Sequence, residues 1–130
     1  MKRRLIVFLV LIALLIPLLA VPAAAASRGI VLSSFLADLD ISSGGTATCS
    51  CSARASGCTI SVAMKLQRYQ NGSWTTLKTW SANQSSPLSL SGTKTVASGY
   101  NYRVSATCSV YNSSGSFVES ATAYSASKYY

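Results

Sequence analysis

Four cysteines are the most chemically distinctive side chains of this 130-residue sequence. Such cysteines pair as disulfides in an oxidising compartment, or combine with histidines to bind zinc or to act as nucleophiles. The sequence contains no histidine, and a Cys-X-Cys on a strand lacks the spacing of a zinc knuckle. The cysteines are therefore predicted to form disulfides; they are Cys49, Cys51, Cys58 and Cys108.

The positions of the cysteines limit how they pair. Cys49 and Cys51 are two residues apart on a predicted strand, so both lie on one face and cannot easily bond to each other. Two pairings remain. The favoured pairing joins Cys49 to Cys108 across two sheets and Cys51 to Cys58 across a short loop. The alternative pairing joins Cys51 to Cys108 and Cys49 to Cys58.

The sequence offers few groups for acid–base catalysis. It has no imidazole, and its only carboxylic side chains are Asp38, Asp40 and Glu119. Asp38 and Asp40 share one face of a predicted strand and could bind calcium, but calcium needs six or more oxygen ligands. Two solvated charges on an edge strand are the preferred interpretation. We predict a protein that is not an enzyme and uses neither a cofactor nor a metal.

Basic residues exceed acidic ones, eleven to three. Three of the cations form the run Lys2-Arg3-Arg4, and the others are scattered singly, whereas a nucleic-acid interface is typically a clustered stripe. Nucleic acid is therefore not an expected partner. A dispersed positive charge favours solubility and a loose attraction to anionic cell-surface polymers.

Aromatic residues give the positive indication of a binding surface. Trp74 and Trp80 fall at even-numbered positions of one predicted hairpin strand, which places them on one face with Lys78. An exposed tryptophan pair can stack on sugar rings or anchor a protein partner. The alternative is that one tryptophan covers the edge of the core. The candidate binding residues are Trp74, Trp80, Tyr69, Arg68 and Lys78.

Strands must position these residues, because apolar side chains recur at every second position between turn residues. Asn71-Gly72 is typical of a tight turn and predicts a hairpin between residues 64–69 and 74–80. Residues 83–87 are predicted to be a polar loop, and Gly92 to interrupt the strand that follows. The predicted strands are 30–41 with a bulge near Ser33-Ser34, 46–54, 58–69, 74–80, 88–97, 100–110 and 116–124.

These seven strands predict an all-β fold, a seven-stranded antiparallel immunoglobulin/fibronectin-like β-sandwich stapled by disulfides, with a cysteine in the second strand and another in the sixth. The tryptophan usual in the third strand of antibody domains is replaced by Ile60, Val62 and Met64. The expected sandwich is therefore not a true antibody-like domain. Residues 27–130 are long enough for one such domain.

The first 26 residues predict export. Lys2-Arg3-Arg4, an apolar run at 5–19 and the alanines at 23–26 are typical of a secretory signal peptide. An uncleaved membrane anchor is the alternative, but Pro17 and Pro22 would break its helix. We predict a signal peptide at 1–26 and a secreted, extracellular mature protein that does not span the membrane.

Several segments resemble an uncharacterised family of small secreted proteins from Gram-positive bacteria with an immunoglobulin-like β-sandwich. The similar segments are Leu66-Gln67-Arg68-Tyr69-Gln70-Asn71-Gly72-Ser73-Trp74, Lys78-Thr79-Trp80-Ser81, Gly99-Tyr100-Asn101-Tyr102-Arg103-Val104 and Tyr124-Ser125. The resemblance covers nearly all of the mature chain. It implies secretion and a β-sandwich, and it implies no activity and no functional residues.

These features predict a secreted, non-enzymatic binding module for cell-envelope carbohydrate or an anionic polymer. The expected partners are a cell-wall polymer, a glycan or a surface protein. One alternative is a structural or protein-interaction component of the cell surface. Another is a small secreted toxin or antimicrobial factor.

Overall fold

The computed structural model describes residues 31–130. The predicted signal peptide at 1–26 and the first residues of the predicted mature chain lie outside the described residues. The described part is made of β-strands joined by turns, with no helix. The strands are β1 (Ser34–Ile41), β2 (Thr46–Arg54), β3 (Thr59–Gln70), β4 (Ser73–Ser85), β5 (Leu88–Thr95), β6 (Asn101–Tyr111), β7 (Phe117–Tyr124) and β8 (Lys128–Tyr129).

The strands form two antiparallel sheets. One sheet has three strands in the order β1-β2-β5, and the other has five, in which β4-β3-β6-β7 are consecutive and β8 pairs with β6. The predicted all-β sandwich class is confirmed. Residues 31–130 form eight strands and not seven, because residues 128–129 add a short strand beside Asn101 and Tyr102. In residues 31–130 no helix exists that could cross a membrane.

The core lies between the two sheets and follows the alternation of the sequence. Along β3 every second side chain is buried, and the same period continues in β2 and β6. Burial of these apolar side chains is the main force that holds the two layers together. The largest fully buried side chains are Tyr102, Leu39, Ile60, Met64, Leu66, Leu88, Val62, Val104 and Val110.

The hairpin between β3 and β4 is confirmed. Asn71 and Gly72 adopt positive φ angles of 54° and 81°, which suit a two-residue turn between twisted strands. The hairpin is longer than predicted, because β4 continues through residues 83–85 and pairs with the start of β3. The predicted polar loop at 83–87 was therefore wrong for residues 83–85, and only Ser86 and Pro87 lie between β4 and β5. Polar composition does not exclude an edge strand, whose outer side chains are in water.

Gly92 does not interrupt β5. It lies within a continuous strand and pairs with Cys49 of β2. The indole of Trp80, from β4 in the other sheet, occupies the space where a side chain at this position would lie. The glycine therefore marks a close approach between the sheets, which is a common reason for glycine inside a strand.

Tyr102 stabilises the loop that connects β5 to β6. Its side chain is fully buried at the start of β6, and its hydroxyl donates a hydrogen bond to the backbone carbonyl of Ala97. The ring fills the core while the hydroxyl satisfies a carbonyl of the connecting loop.

Substitution Tyr102→Phe tests this hydrogen bond. We expect it to lower the free energy of unfolding by about 1 to 2 kcal/mol, because a carbonyl beside the core loses its donor. Urea denaturation followed by circular dichroism measures the change. Tyr129→Phe is the control, since Tyr129 is 71% exposed, and it should shift stability by less than about 0.5 kcal/mol. Equal stability of the two variants would show that the hydrogen bond contributes nothing.

Candidate binding surface

A register shift in the β3–β4 hairpin separates the two tryptophans. Gln67 pairs with Thr76 and Leu66 pairs with Lys78, so Leu77 is an extra residue in β4. The alternation of β4 therefore reverses at Leu77, whose side chain packs against the core. The prediction that Trp74 and Trp80 share one face was wrong.

Trp80 lies on the core side of β4. It pairs with the fully buried Met64 and packs against the core. The Nζ of Lys78 is 5.1 Å from the centre of the Trp80 ring. Trp80 thus covers an edge of the core, which is the alternative that the sequence left open.

Arg68 also lies on the inner side of its sheet, at the end of β3. It pairs with the buried Tyr102, and its guanidinium carbon is 4.4 Å from the centre of the Tyr100 ring. Its Nη2 donates a 2.8 Å hydrogen bond to Oε1 of Gln70, whereas its Nε is buried and has no partner among residues 31–130. Arg68 therefore lies at one end of the core and not on the outer face of the sheet.

Trp74 and Tyr69 are the two predicted binding residues that the structure brings together. They are cross-strand partners on the outer face of the five-stranded sheet, with ring centres 5.3 Å apart in an edge-to-face arrangement. Trp80, Arg68 and Lys78 do not join them.

Two further residues extend this pair into a row across the sheet. The guanidinium carbon of Arg103 is 4.3 Å from the centre of the Trp74 ring and 4.5 Å from the centre of the Tyr124 ring. Contacts of this kind are attractive, because a cation lies on the electron-rich face of an aromatic ring. We call Tyr69, Trp74, Arg103 and Tyr124 the aromatic–arginine row.

Hydrogen bonds hold the row in place from below. The Nε of Arg103 donates to Oε1 of Gln67 at 2.8 Å, and Nε2 of Gln67 donates to the hydroxyl of Thr76 at 3.3 Å. Gln67 lies on β3, between the strand of Trp74 and the strand of Arg103. It therefore connects Arg103 on β6 to Thr76 on β4. The guanidinium is thereby oriented before any ligand arrives.

The rings of the row remain accessible to a ligand. Tyr69 is 45% exposed and Tyr124 is 57% exposed, while Trp74 and Arg103 are half-buried by their neighbours. The result is a broad, shallow aromatic surface on one outer face of the sandwich. Such a surface suits the face of a planar or ring-shaped ligand.

The four cysteines are free thiols in the structure, with no two sulfurs at disulfide distance. Burial raises the pKa of the Cys49 and Cys108 thiols to about 11, and it also raises the pKa of Cys51. For Cys108, burial is the largest cause and the nearby Cys51 and Glu119 add to it. Among residues 31–130 no group of three or more histidine, cysteine or acidic side chains could hold a metal ion.

The three carboxylates lie away from the row. Glu119 is buried and accepts hydrogen bonds from the backbone amides of Val31 and Leu32, so it anchors the start of the described chain. Asp38 and Asp40 are exposed on β1. The Oδ1 of Asp40 is 3.9 Å from the Nζ of Lys128. This ion pair is exposed, and such pairs contribute little stability.

No family model matches this chain, and no curated protein or solved structure matches it significantly.

Proposed function

We propose that this protein is a secreted, non-enzymatic binding module that recognises cell-envelope carbohydrate through the aromatic–arginine row. The observation that supports the proposal is the accessible row on the outer face of the five-stranded sheet, in which Arg103 contacts the Trp74 and Tyr124 rings and Tyr69 contacts Trp74 edge to face. Sugar rings present apolar C–H faces that pack on aromatic rings, while their hydroxyls stay hydrated at the edges.

The proposal includes an immunoglobulin-like or fibronectin-like sandwich. Two observations support it. The five-stranded sheet is built around β3 and β6, while β2 is the centre of the opposite sheet. The hydrogen bond from Tyr102 at the start of β6 to Ala97, five residues upstream, resembles the tyrosine corner of such domains.

The proposal also includes one disulfide between the sheets, and it changes the favoured partner of Cys108. Cys51 on β2 and Cys108 on β6 are both buried in the core between the two sheets, and the Cys51 thiol adds to the raised pKa of Cys108. We therefore propose the bridge from Cys51 to Cys108 in place of the bridge from Cys49 to Cys108. Export through a signal peptide would bring the chain into a compartment where thiols are oxidised.

Binding to purified cell-wall polysaccharide tests the proposed function. The mature protein should be retained by the immobilised polymer, and Trp74→Ala should weaken its affinity at least tenfold, because the central ring of the row is removed. Phe117→Ala is the matched control. Phe117 is an exposed aromatic residue on the same sheet, in edge-to-face contact with Tyr111 with ring centres 6.0 Å apart, and its loss should change affinity less than about twofold.

Two results would contradict the proposal. The first is no retention of the wild-type protein by any envelope polysaccharide. The second is an equal loss of affinity in Trp74→Ala and Phe117→Ala, which would mean that any exposed aromatic ring contributes to binding and that the row is not the binding site. Circular dichroism of each variant confirms that it is folded before its affinity is compared.

A further inference from the structure

The outer face of the five-stranded sheet holds positive charge and no acidic side chain. Lys65 and Arg103 are outward-facing residues on the neighbouring strands β3 and β6, where Lys65 pairs with Ser105 and Arg103 with Gln67. The three acidic side chains of the chain lie elsewhere, two exposed on β1 and one buried on β7. This face therefore complements a negatively charged ligand.

Arg103 is held in a position that leaves one edge of its guanidinium available. Trp74 comes from β4 and Tyr124 from β7, on either side of β6, and the guanidinium carbon lies over both rings. Its Nε is used by Gln67. Among residues 31–130 the two Nη atoms have no hydrogen-bond partner, and neither is buried. An arginine edge with two parallel N–H donors matches a planar carboxylate in a bidentate arrangement.

We propose that Arg103 selects acidic sugars, and that the ligand of this face is a polysaccharide containing uronic acids. This inference rests on the proposed function and specifies its substrate class. The two Nη atoms of Arg103 bind the sugar carboxylate while the exposed rings of Tyr69 and Tyr124 contact the sugar rings on either side. A polyol-phosphate polymer would supply the charge but no ring to stack, so the combination of rings and arginine favours the carboxylated sugar.

Matched ligands separate the carboxylate from the sugar. The probes are tetragalacturonate, the same oligosaccharide fully methyl-esterified, and poly(glycerol phosphate), each titrated calorimetrically at about 0.15 M salt, where exposed charges more than about 8 Å apart are largely screened. We expect the acid to bind at least tenfold more tightly than the ester, and poly(glycerol phosphate) to bind more weakly than the acid.

Matched variants distinguish the contribution of the Arg103 guanidinium to binding from the contribution of net positive charge on this face. Arg103→Gln should remove the preference for the acid over the ester, whereas Lys65→Gln removes the same charge from the same face and should change affinity less than about threefold. Arg103→Lys keeps the charge and loses the bidentate edge, so it should bind the acid at least fivefold more weakly than wild type. Circular dichroism verifies the fold of all three variants.

The outcomes distinguish this inference from the proposed function. Equal binding of acid and ester, with Trp74 still required, overturns the inference and leaves the carbohydrate module intact. Equal losses in Arg103→Gln and Lys65→Gln overturn the role of the arginine edge, and tighter binding of poly(glycerol phosphate) than of the uronate overturns the choice of ligand. No binding of wild-type protein to these probes or to envelope polysaccharide overturns both proposals.

Discussion

Substitution Gly92→Ala is expected to lower the free energy of unfolding by about 3 kcal/mol, a large part of the stability of a domain of this size. A Cβ at this position of β5 would overlap atoms Cε2, Nε1 and Cδ1 of the Trp80 indole. The ring packs against the core from the opposite sheet, so it cannot move aside freely. Relief of the overlap requires either a strained Trp80 rotamer or a wider separation of β4 and β5.

A double-mutant cycle isolates this contact. In a Trp80→Leu background the space beside Gly92 is no longer filled by an indole, so the added methyl group should cost less than about 1 kcal/mol there. The expected coupling is therefore about 2 kcal/mol. Chemical denaturation followed by circular dichroism gives all four free energies without relying on the fluorescence of the deleted tryptophan.

A second glycine provides the control for the loss of glycine itself. At Gly44 an added Cβ would meet only the hydroxyl of Ser42, 3.9 Å away, and the backbone there is not in the left-handed region. Gly44→Ala should be neutral or slightly stabilising, because alanine restricts the unfolded chain. If Gly92→Ala is tolerated as well as Gly44→Ala, Trp80 does not pack on β5 in solution.

The sequence predicted best the elements whose two faces differ most. The alternation at 46–54 coincides with β2 at both ends, and the turn at Asn71-Gly72 is formed as expected. In both cases the signal is local: a period of two, or a dipeptide that tolerates positive φ. The general architecture follows from these local signals, because alternating strands must bury their apolar faces against each other.

The candidate site was harder to predict, because it depends on register between strands. Nothing local marks Leu77 as an extra residue in the stretch Thr75-Thr76-Leu77-Lys78, so simple alternation put Trp80 beside Trp74. A shift of one residue moves every later side chain to the opposite face. The rule that failed is therefore the assumption of a regular strand.

Arg103 and Tyr124 were missed as partners of Trp74 for the same reason. The period of β6 correctly makes Arg103 an outward residue beside the inward Tyr102. Its proximity to Trp74, however, depends on the pairing of Arg103 with Gln67, 36 positions earlier in the chain. Tyr124 likewise lies on β7, and nothing in the sequence around it indicates that it joins this row.

The reduced protein is expected to lose about 5 kcal/mol of stability between pH 9 and pH 11 from the buried thiols of Cys49 and Cys108, and the buried Cys51 adds to this loss. The pKa values of Cys49 and Cys108 are raised from 9.0 to about 11 by burial. Below pH 9 both thiols are protonated whether the chain is folded or unfolded, and stability is complete. Between pH 9 and pH 11 the unfolded chain releases protons that the folded protein retains, so unfolding becomes easier as pH rises. Each thiol accounts for about 2 to 3 kcal/mol.

Oxidation of Cys51 and Cys108 to a disulfide removes part of this loss. The bridged Cys51 and Cys108 no longer titrate, so the alkaline loss should fall to the part due to Cys49, about 2 to 3 kcal/mol. The bridge should also add about 2 to 4 kcal/mol at every pH by restricting the unfolded chain. Guanidinium denaturation at several pH values from 8 to 11, with and without reductant, measures both effects. The comparison cancels lysine and tyrosine titration, which is common to both samples.

The remaining two cysteines are poorly placed to pair with each other. Cys58 lies just before β3, and its carbonyl accepts a hydrogen bond from the amide of Ser86. Ser86 is two residues before Leu88, which pairs with Ala53 of β2. Cys58 is therefore at the same end of the sandwich as Ala53. Cys49 is four residues before Ala53 on β2, which corresponds to about 13 Å along the strand. Disulfides require Cα atoms within about 7 Å of each other. We therefore expect one bridge and two thiols in the oxidised protein.

Two alanine variants decide which bridge forms. Cys49 and Cys51 are buried on the same face of β2, two residues apart, so removal of either leaves a similar small cavity. If Cys51 is the partner of Cys108, oxidised Cys51→Ala should be insensitive to reductant, whereas oxidised Cys49→Ala should still be destabilised by it. The reverse pattern would establish the bridge from Cys49 to Cys108. Insensitivity of the wild-type protein to reductant, together with four alkylatable thiols after unfolding, would show that the two sheets are held together by packing alone.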